Sequence, residues 1–378
     1  MEQQEVKKQK LEQQEETLNE ESQQVQEPVE EEIESSTYTE EEMKLGHELI
    51  AAVIANDLEK VKNLVNDQGA DLCFNGDDLG RSPLHHAAEK GHVDIVSWLL
   101  SEKHPYNVVD RSEVTAGELA LKNGHKEIYE RLVDEGVRSE LLIRALKRTF
   151  GEEDEEDVAR AIANKAYLQQ KLHYDDNKLM DENNDAVMMG WEGPLMVEHA
   201  KVMCPTEGLS VLNVGFGLGL IDSELQKYKP KNHYIIEAHP DVYAHMLKLG
   251  WDKKPGVKIL FGRWQDMIHK LDIAFDGVFF DTYGEFYEDL RAFHEYVPNI
   301  LLEEGVYTWF NGLGATNQFF HDIYCEVSEI DLREFGLSTE YVVLPIDTWA
   351  EKGVWDGVRQ KYWVLDTYKL PICKFLKE

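Results

Sequence analysis

Residues 209–222 read LSVLNVGFGLGLID. The apolar run stops on three alternate glycines, Gly215, Gly217 and Gly219, and a helical stretch follows. A short apolar run bounded by glycine is a buried strand, and glycine after it permits a tight turn and close backbone approach to a ligand. A strand that turns at once into a helix belongs to a βα unit, so the chain must build a sheet with crossover helices. Further apolar runs follow at the same spacing: NHYIIEAH, VKILFGRW, FDGVFFDTY and GVYTWFNG. TEYVVLPID and QKYWVLDTYKLP come last with little between them, which predicts an antiparallel pair. The expected fold of residues 166–378 is α/β, a doubly wound sheet closed by a C-terminal antiparallel hairpin.

Ahead of it the pattern is helical and repeated. GRSPLHHAAEKGHVDIVSWLL, starting at Gly80, matches the ankyrin pattern in which T-P-L-H-x-A opens a helix pair. Ser82 stands where Thr is usual, and Pro83 suits a first helical turn. AGELALKNGHKEIYERLV repeats the pattern, with Gly124 33 residues after Gly91. ELIAAVIANDLEKVKNLVNDQGADL is an earlier, degenerate copy with Asn56 near the matching position. Residues 43–137 therefore read as two to three ankyrin repeats, an all-α unit that binds protein or caps the next domain. His85 and His86 sit in the repeat signature and read as structural.

Residues 1–42 are Glu/Gln-rich with scattered apolar residues, the composition of a disordered acidic tail. GEEDEED at 151–157 marks an acidic break within a linker and helix over 138–165. There are 39 Lys+Arg against 73 Asp+Glu, a formal charge of −34. With no large basic patch, direct nucleic-acid binding is not expected, and the balance suits a basic protein partner. No apolar run approaches the ~20 residues of a membrane span. Cys73, Cys204, Cys325 and Cys373 form no CxxC pair, so reduced thiols, no cysteine zinc site and no other metal are expected.

Glu237 ends the strand after the glycines, 22 residues beyond Gly215, where a carboxylate can accept both hydroxyls of a ribose. A dinucleotide fingerprint wants a third glycine at 220, which is Leu220. The Gly-x-Gly-x-Gly spacing resembles instead the first motif of class I S-adenosyl-L-methionine-dependent methyltransferases. That motif begins with an acid two residues before the first glycine, where this chain has Asn213. Two acids stand out beside it. Asp281 ends the fourth strand in FFDTYG, at the sheet edge that faces a ligand crevice. Glu192, in MMGWEGPLM, precedes the first strand, where a lid over the crevice would start. Two carboxylates around one planar guanidinium would hold its terminal amino groups and leave the internal nitrogen free. The bland alternatives are a helix-start acid capping N–H groups and a strand-end cap.

VMMGWEGPLM, VLNVGFG, YIIEAH, GRWQDMI and FDGVFFDTYG resemble guanidinoacetate methyltransferase in order and spacing. With ankyrin repeats ahead, the chain is similar over about residues 43–378 to the fungal protein arginine delta-N-methyltransferases, the type IV or N5 class. The resemblance implies that Glu192 and Asp281 grip the guanidino group; Asp281, next to the cofactor crevice, is the better candidate for taking the proton, with water as the alternative. It places Gly215, Phe216, Gly217, Leu218, Gly219 and Leu220 along the methionine part of S-adenosyl-L-methionine, Glu237 on the ribose, and Ala238 and His239 alongside. It sets Trp264 and Gln265 at the adenine, next to Asp266, and Met188, Tyr174 and Asp281 also at the cofactor. It implies methylation of the internal arginine nitrogen in a protein, a large-subunit ribosomal protein being the substrate class, in cytoplasm and nucleus. A small-molecule guanidino methyltransferase and an inactive ankyrin scaffold stay open as alternatives.

Overall fold

The computed structural model describes residues 38–150, 162–175, 177–283 and 287–377. Most of the acidic tail and the GEEDEED break lie outside the described residues. Three helix pairs open the fold: α1 (Glu40–Ile54) with α2 (Leu58–Asn66), α3 (Pro83–Lys90) with α4 (Val93–Ser101), and α5 (Ala116–Lys122) with α6 (Lys126–Phe150). Asn56, Gly91 and Gly124 fall between the two helices of each pair, and all three have positive φ (56°, 80° and 76°). The degenerate copy thus keeps the backbone turn, with Asn as the residue that tolerates it. Capping boxes start α1 (Thr39 with Glu42) and α5 (Thr115 with Glu118). His85 is structural: its Nδ1 accepts from the Ser82 N–H at 3.2 Å, and its Nε2 donates to the Val114 carbonyl at 3.1 Å.

The last helix of this array, α6, runs unbroken past residue 137 and packs on the α/β domain. Its partner is α12 (Gln318–Glu334). Phe319 of α12 is fully buried against Tyr106 and Tyr129. The fit is backbone-close: a Cβ on Gly117 would lie 2.4 Å from the Phe319 ring, and one on Gly136 would lie 2.4 Å from Ile323 Cδ1. Tyr129 donates to Asp322 at 2.5 Å, and Arg144 pairs with the buried Asp331. One apolar cluster therefore runs from Leu49 and Leu84 through Leu132 and Phe319 to Val278 and Tyr307 of the sheet.

Between the two parts lie a short helix over 162–167 and a small antiparallel sheet, β1 (His173–Asp175), β2 (Lys178–Met180) and β3 (Ala186–Met189). A 3₁₀ turn, Gly190–Glu192, leads into α7 (Gly193–Met203) with Pro194 in its first turn. The main sheet then follows: β4 (Ser210–Val214), α8 (Leu220–Lys227), β5 (Asn232–Glu237), α9 (Pro240–Lys248), β6 (Val257–Phe261), α10 (Trp264–Met267), β7 (Phe275–Phe280), α11 (Tyr287–Ile300), β8 (Leu301–Trp309), α12, β9 (Leu337–Pro345) and β10 (Thr367–Phe375). The strand order is β6-β5-β4-β7-β8-β10-β9, with β4 to β8 parallel and β10 antiparallel to both neighbours. This is the mixed seven-stranded sheet of class I methyltransferases, as the sequence predicts. Both faces are covered, so neighbouring residues of β7 enter different cores, Val278 in one and Phe279 in the other. The strand order reverses between β4 and β7, and a crevice opens there beyond their C-terminal ends.

Two local expectations change. Glu192 does not precede the first strand: the β1–β3 sheet comes before it, with strands of three and four residues, too short for an alternation to show. QKYWV is not strand: β10 begins at Thr367, and residues 346–366 form a long connection between β9 and β10. Its apolar residues are apolar because they pack, not because they pair. Trp363 is fully buried and its indole N–H donates to the Leu365 carbonyl at 2.7 Å. The connection lies on the small sheet through Arg359 N–H to the Asn184 carbonyl (2.9 Å) and Lys178 to the Asp356 carbonyl (2.6 Å).

Candidate active site

The crevice at the β4/β7 switch is lined by the turn after β4, the tip of β5 and the segments that follow β6 and β7, the place where sheets of this order bind ligands. Its floor is the turn after β4. Gly215 has φ +95°, donates its N–H to Ile236 O at 2.9 Å, and passes so close to β7 that a Cβ would lie 1.8 Å from the Asp281 carbonyl oxygen. Gly217 has φ +55°, and a Cβ there would lie 2.5 Å from Met188 Sδ. The glycines are thus required by what approaches them from both sides.

Glu237, at the tip of β5, is buried, and its carboxylate is held by backbone donors. Oε2 accepts the Phe216 N–H at 2.9 Å and Oε1 the His239 N–H at 2.6 Å. Burial raises its pKa to about 6, and the N–H groups of Phe216, His239 and Ala238 oppose the shift. Asn213, where the motif has an acid, donates through Nδ2 to the Gly215 carbonyl and to Asp222 Oδ2, both at 2.8 Å. Asp222 on α8 also meets His233 Nε2 at 2.8 Å. The carboxylate beneath the loop is supplied from the helix rather than from the strand.

Of the residues singled out in the sequence, Met188, Gly215, Phe216, Gly217, Glu237, Ala238, His239, Trp264, Gln265 and Asp281 meet around this crevice. Tyr174, Leu218, Gly219 and Leu220 are not in its wall. Tyr174 stacks on His245 (centroids 3.9 Å apart) and donates to the Gly217 carbonyl at 3.3 Å, so it supports the loop from behind. Met188 Sδ receives the Leu218 N–H at 3.2 Å. Trp264 is buried edge-to-face against Phe280, Phe293 and Tyr296 (6.1, 5.3 and 6.0 Å), while also lining the crevice. Asn164, Tyr167, Leu168 and Tyr283 also line it. Tyr167 packs between His239 and Tyr283 (5.0 and 4.8 Å), and its carbonyl accepts from His239 Nε2 at 3.1 Å.

Glu192 lies next to this crevice, 3% exposed. Its Oε1 accepts the Met189 N–H at 3.0 Å, the capping role a helix-start acid can take. The same oxygen accepts a hydrogen bond from the Tyr362 hydroxyl. Oε2 accepts no hydrogen bond among the described residues. Burial raises the Glu192 pKa, the charge of Asp281 raises it further, and the Tyr362 and Met189 donors oppose the shift. Burial also raises Asp281. Two carboxylates that resist ionisation side by side form a site that favours a buried cation. Tyr362 carried no signal in the sequence: 170 positions separate it from Glu192.

The profile of the guanidinoacetate N-methyltransferase family matches residues 156–335, and that of ankyrin repeats (3 copies) matches residues 49–141. Protein arginine N-methyltransferase 2 of Aspergillus oryzae is 37% identical over 329 residues, covering 76% of this chain and 79% of that protein. Its namesake in Cryptococcus neoformans is 38% identical over 341 residues, 81% of this chain and 89% of that protein. The Saccharomyces cerevisiae protein of the same name is 35% identical over 322 residues, covering 75% and 78%. Repeats, methyltransferase sheet and paired acids occur together in one chain, and at these identities and coverages the chain belongs to the protein arginine N-methyltransferase 2 family.

Proposed function

We propose that this protein transfers a methyl group from S-adenosyl-L-methionine to the internal delta (N5) nitrogen of an arginine in a basic protein. The observation that carries the reading is the buried Glu192 beside the half-buried Asp281 in the wall of the β4/β7 crevice, with Glu192 Oε2 accepting no hydrogen bond among the described residues. The names of the relatives support arginine and protein, and the pairing of acids together with the family resemblance supports the internal nitrogen. A large-subunit ribosomal protein as substrate, with residence in cytoplasm and nucleus, rests on the family resemblance and on the −34 formal charge, which suits a basic partner. Within this reading residues 43–137 are the docking unit, 138–165 the linker and helix, and 166–378 the catalytic domain.

The residues present suit the cofactor: Gly215 and Gly217 bare a stretch of loop backbone in the crevice wall, and Glu237 presents a fixed carboxylate beside it. S-adenosyl-L-methionine, when bound, supplies an electrophilic methyl on a sulfonium. Glu237 would accept the ribose hydroxyls, Met188 and Gly215 to Gly217 would flank the methionine part, and Trp264 and Gln265 the adenine. Glu192 and Asp281 would accept the terminal N–H groups of the guanidinium and aim the internal nitrogen at the methyl. Positioning of this kind can supply on the order of 7 kcal/mol of the barrier. Asp281, in the wall of the crevice itself, would take the proton lost from the nitrogen.

The placement of Trp264 sharpens one expectation. Trp264→Ala should weaken cofactor binding and also destabilise the fold by about 3–5 kcal/mol, because the indole is part of the core. Calorimetric titration and thermal melting of the same variant check both. Weaker binding with an unchanged melting temperature would mean that the ring serves the ligand alone.

The match to the guanidinoacetate N-methyltransferase family favours a second reading, a small guanidino compound as acceptor. Removing the repeats would not separate the two, because Phe319 and Ile323 would lose their cover. Mass spectrometry does. The protein is incubated with methyl-labelled cofactor and a basic ribosomal protein fraction, and digests are fragmented. Label on the internal arginine nitrogen is the expected result. Label on a terminal nitrogen would mean that the guanidinium sits the other way round. No label on protein, with label on an added free guanidino compound, would favour the second reading.

A further inference from the structure

Glu192 has two oxygens, and the structure uses them unequally. Both donors that reach it, the Met189 N–H and the Tyr362 hydroxyl, go to Oε1. Two donors on one oxygen restrain the rotation of a carboxylate and bias the direction of its other oxygen. The Met189 donor is local, three residues away on the same turn. The Tyr362 donor comes from the connection between β9 and β10, far in sequence. Its ring is itself held, 5.8 Å from Trp191 and 5.2 Å edge-to-face from Trp355. Arg359, three residues before it, is tied to the small sheet by an ion pair with Asp185 and by its N–H to Asn184 O. The hydroxyl thus arrives on a braced segment.

We propose that Tyr362 is a positioning residue for methyl transfer: its hydroxyl locks Glu192 through Oε1, so that Oε2 faces the substrate guanidinium as a charged acceptor. This rests on the reading of Glu192 and Asp281 as the guanidinium clamp. The groups that act on Glu192 are Asp281 after β7, whose charge opposes its ionisation, Tyr362 from the connection and Tyr368 from β10. The Tyr362 phenol has its pKa raised by burial and by Glu192, so it stays a donor across the working pH range. The donor stabilises the charged form of Glu192. Removing it raises the pH at which Glu192 ionises, so the acid limb of the activity profile must move to higher pH.

The test uses the full chain and four forms: parent, Tyr362→Phe, Glu192→Gln and the double variant. Readouts are kcat/KM against pH on the protein substrate, and cofactor affinity by calorimetry. Tyr362→Phe is expected to lose about ten- to hundredfold in kcat/KM, the scale of one hydrogen bond to a charged group. Its acid limb should shift upward and its cofactor affinity stay at the parent value. Added to Glu192→Gln, it should bring little further loss, because the two act as one unit. Parent-like kcat/KM with an unmoved acid limb would overturn the proposal. So would a loss without a limb shift, or a loss fully additive with Glu192→Gln. If Glu192→Gln itself kept its activity, the clamp reading would fail first, and that outcome is read from a separate variant.

Discussion

Glu192→Gln and Asp281→Asn are each expected to lower kcat/KM by about a thousandfold, the effect of removing one preorganised charged partner from a buried site, while Glu192→Gln raises the melting temperature. The two effects share one cause. Both carboxyls have pKa values raised by burial, and Asp281 raises Glu192 further. In the unfolded chain each would ionise near the ordinary carboxylate value of about 4. Between that pH and its raised native value, the folded protein binds more protons than the unfolded one. Stability contributed by such a group falls as pH rises through this window. Above the window the native state carries a buried carboxylate whose charge is stabilised only in part. Gln at 192 removes that charge, and its amide oxygen can still accept from Met189 N–H and Tyr362 O–H. The gain should be on the order of 2 kcal/mol, a shift of a few degrees at pH 8, and should vanish as pH falls toward 4. Melting curves at pH 4, 6 and 8 beside single-turnover rates test it. Activity retained in both variants would remove the clamp mechanism. Activity lost with an unchanged melting temperature at pH 8 would mean that the acids ionise without strain and that the site stores nothing.

The features that were legible in the sequence have a local or periodic cause. The turn after β4 shows because Gly215, Gly217 and Gly219 fall directly after an apolar run. The repeats show because Asn56, Gly91 and Gly124 occupy one backbone position three times, and the structure gives all three a positive φ. Asp281 and Glu237 show because strand ends face the crevice in any sheet of this order. What the sequence hid has long-range causes. Tyr362 reaches Glu192 across the fold, and no spacing encodes that. Tyr167 enters the wall from a short helix, and Tyr283 from a loop end. QKYWV imitates a strand because Trp363 is buried by tertiary packing, which period alone cannot separate from pairing. The close seating of α5 and α6 on α12 is carried by Gly117 and Gly136. Inside an ankyrin-like helix these read only as small residues until Phe319 and Ile323 are set against them. That seating settles one of the two roles open to the repeats: the last pair does cap the α/β domain. Any docking surface must then lie on faces of the array that α12 leaves uncovered.

Gly215→Ala should abolish activity and weaken cofactor binding more than about a hundredfold, with the chain still folded. The reason is steric before it is conformational. A Cβ at Gly215 would stand 1.8 Å from the Asp281 carbonyl oxygen, and real Cβ atoms essentially never come within 3.0 Å of another heavy atom. Side chains can swing aside, but this neighbour is backbone, fixed by the ladder that joins Asp281 N–H to Val214 O at 2.9 Å. The tips of β4 and β7 would have to part. That motion displaces the loop that carries Phe216, whose N–H holds Glu237, and it moves Asp281 away from Glu192. The ribose acceptor and one half of the clamp are disturbed together. A second contribution comes from φ +95°, a conformation that costs a non-glycine residue on the order of 1–2 kcal/mol. Gly208 separates the two. It has φ +84°, and a Cβ there would meet nothing within 4 Å. Gly208→Ala should lose about the conformational cost alone, lower the melting temperature by a few degrees, and keep both cofactor affinity and rate. Calorimetric titration of both variants with the cofactor decides the matter. Equal, mild defects in the two would mean that the sheet opens easily at its switch point and that the contact between Gly215 and Asp281 does not set the geometry of the site.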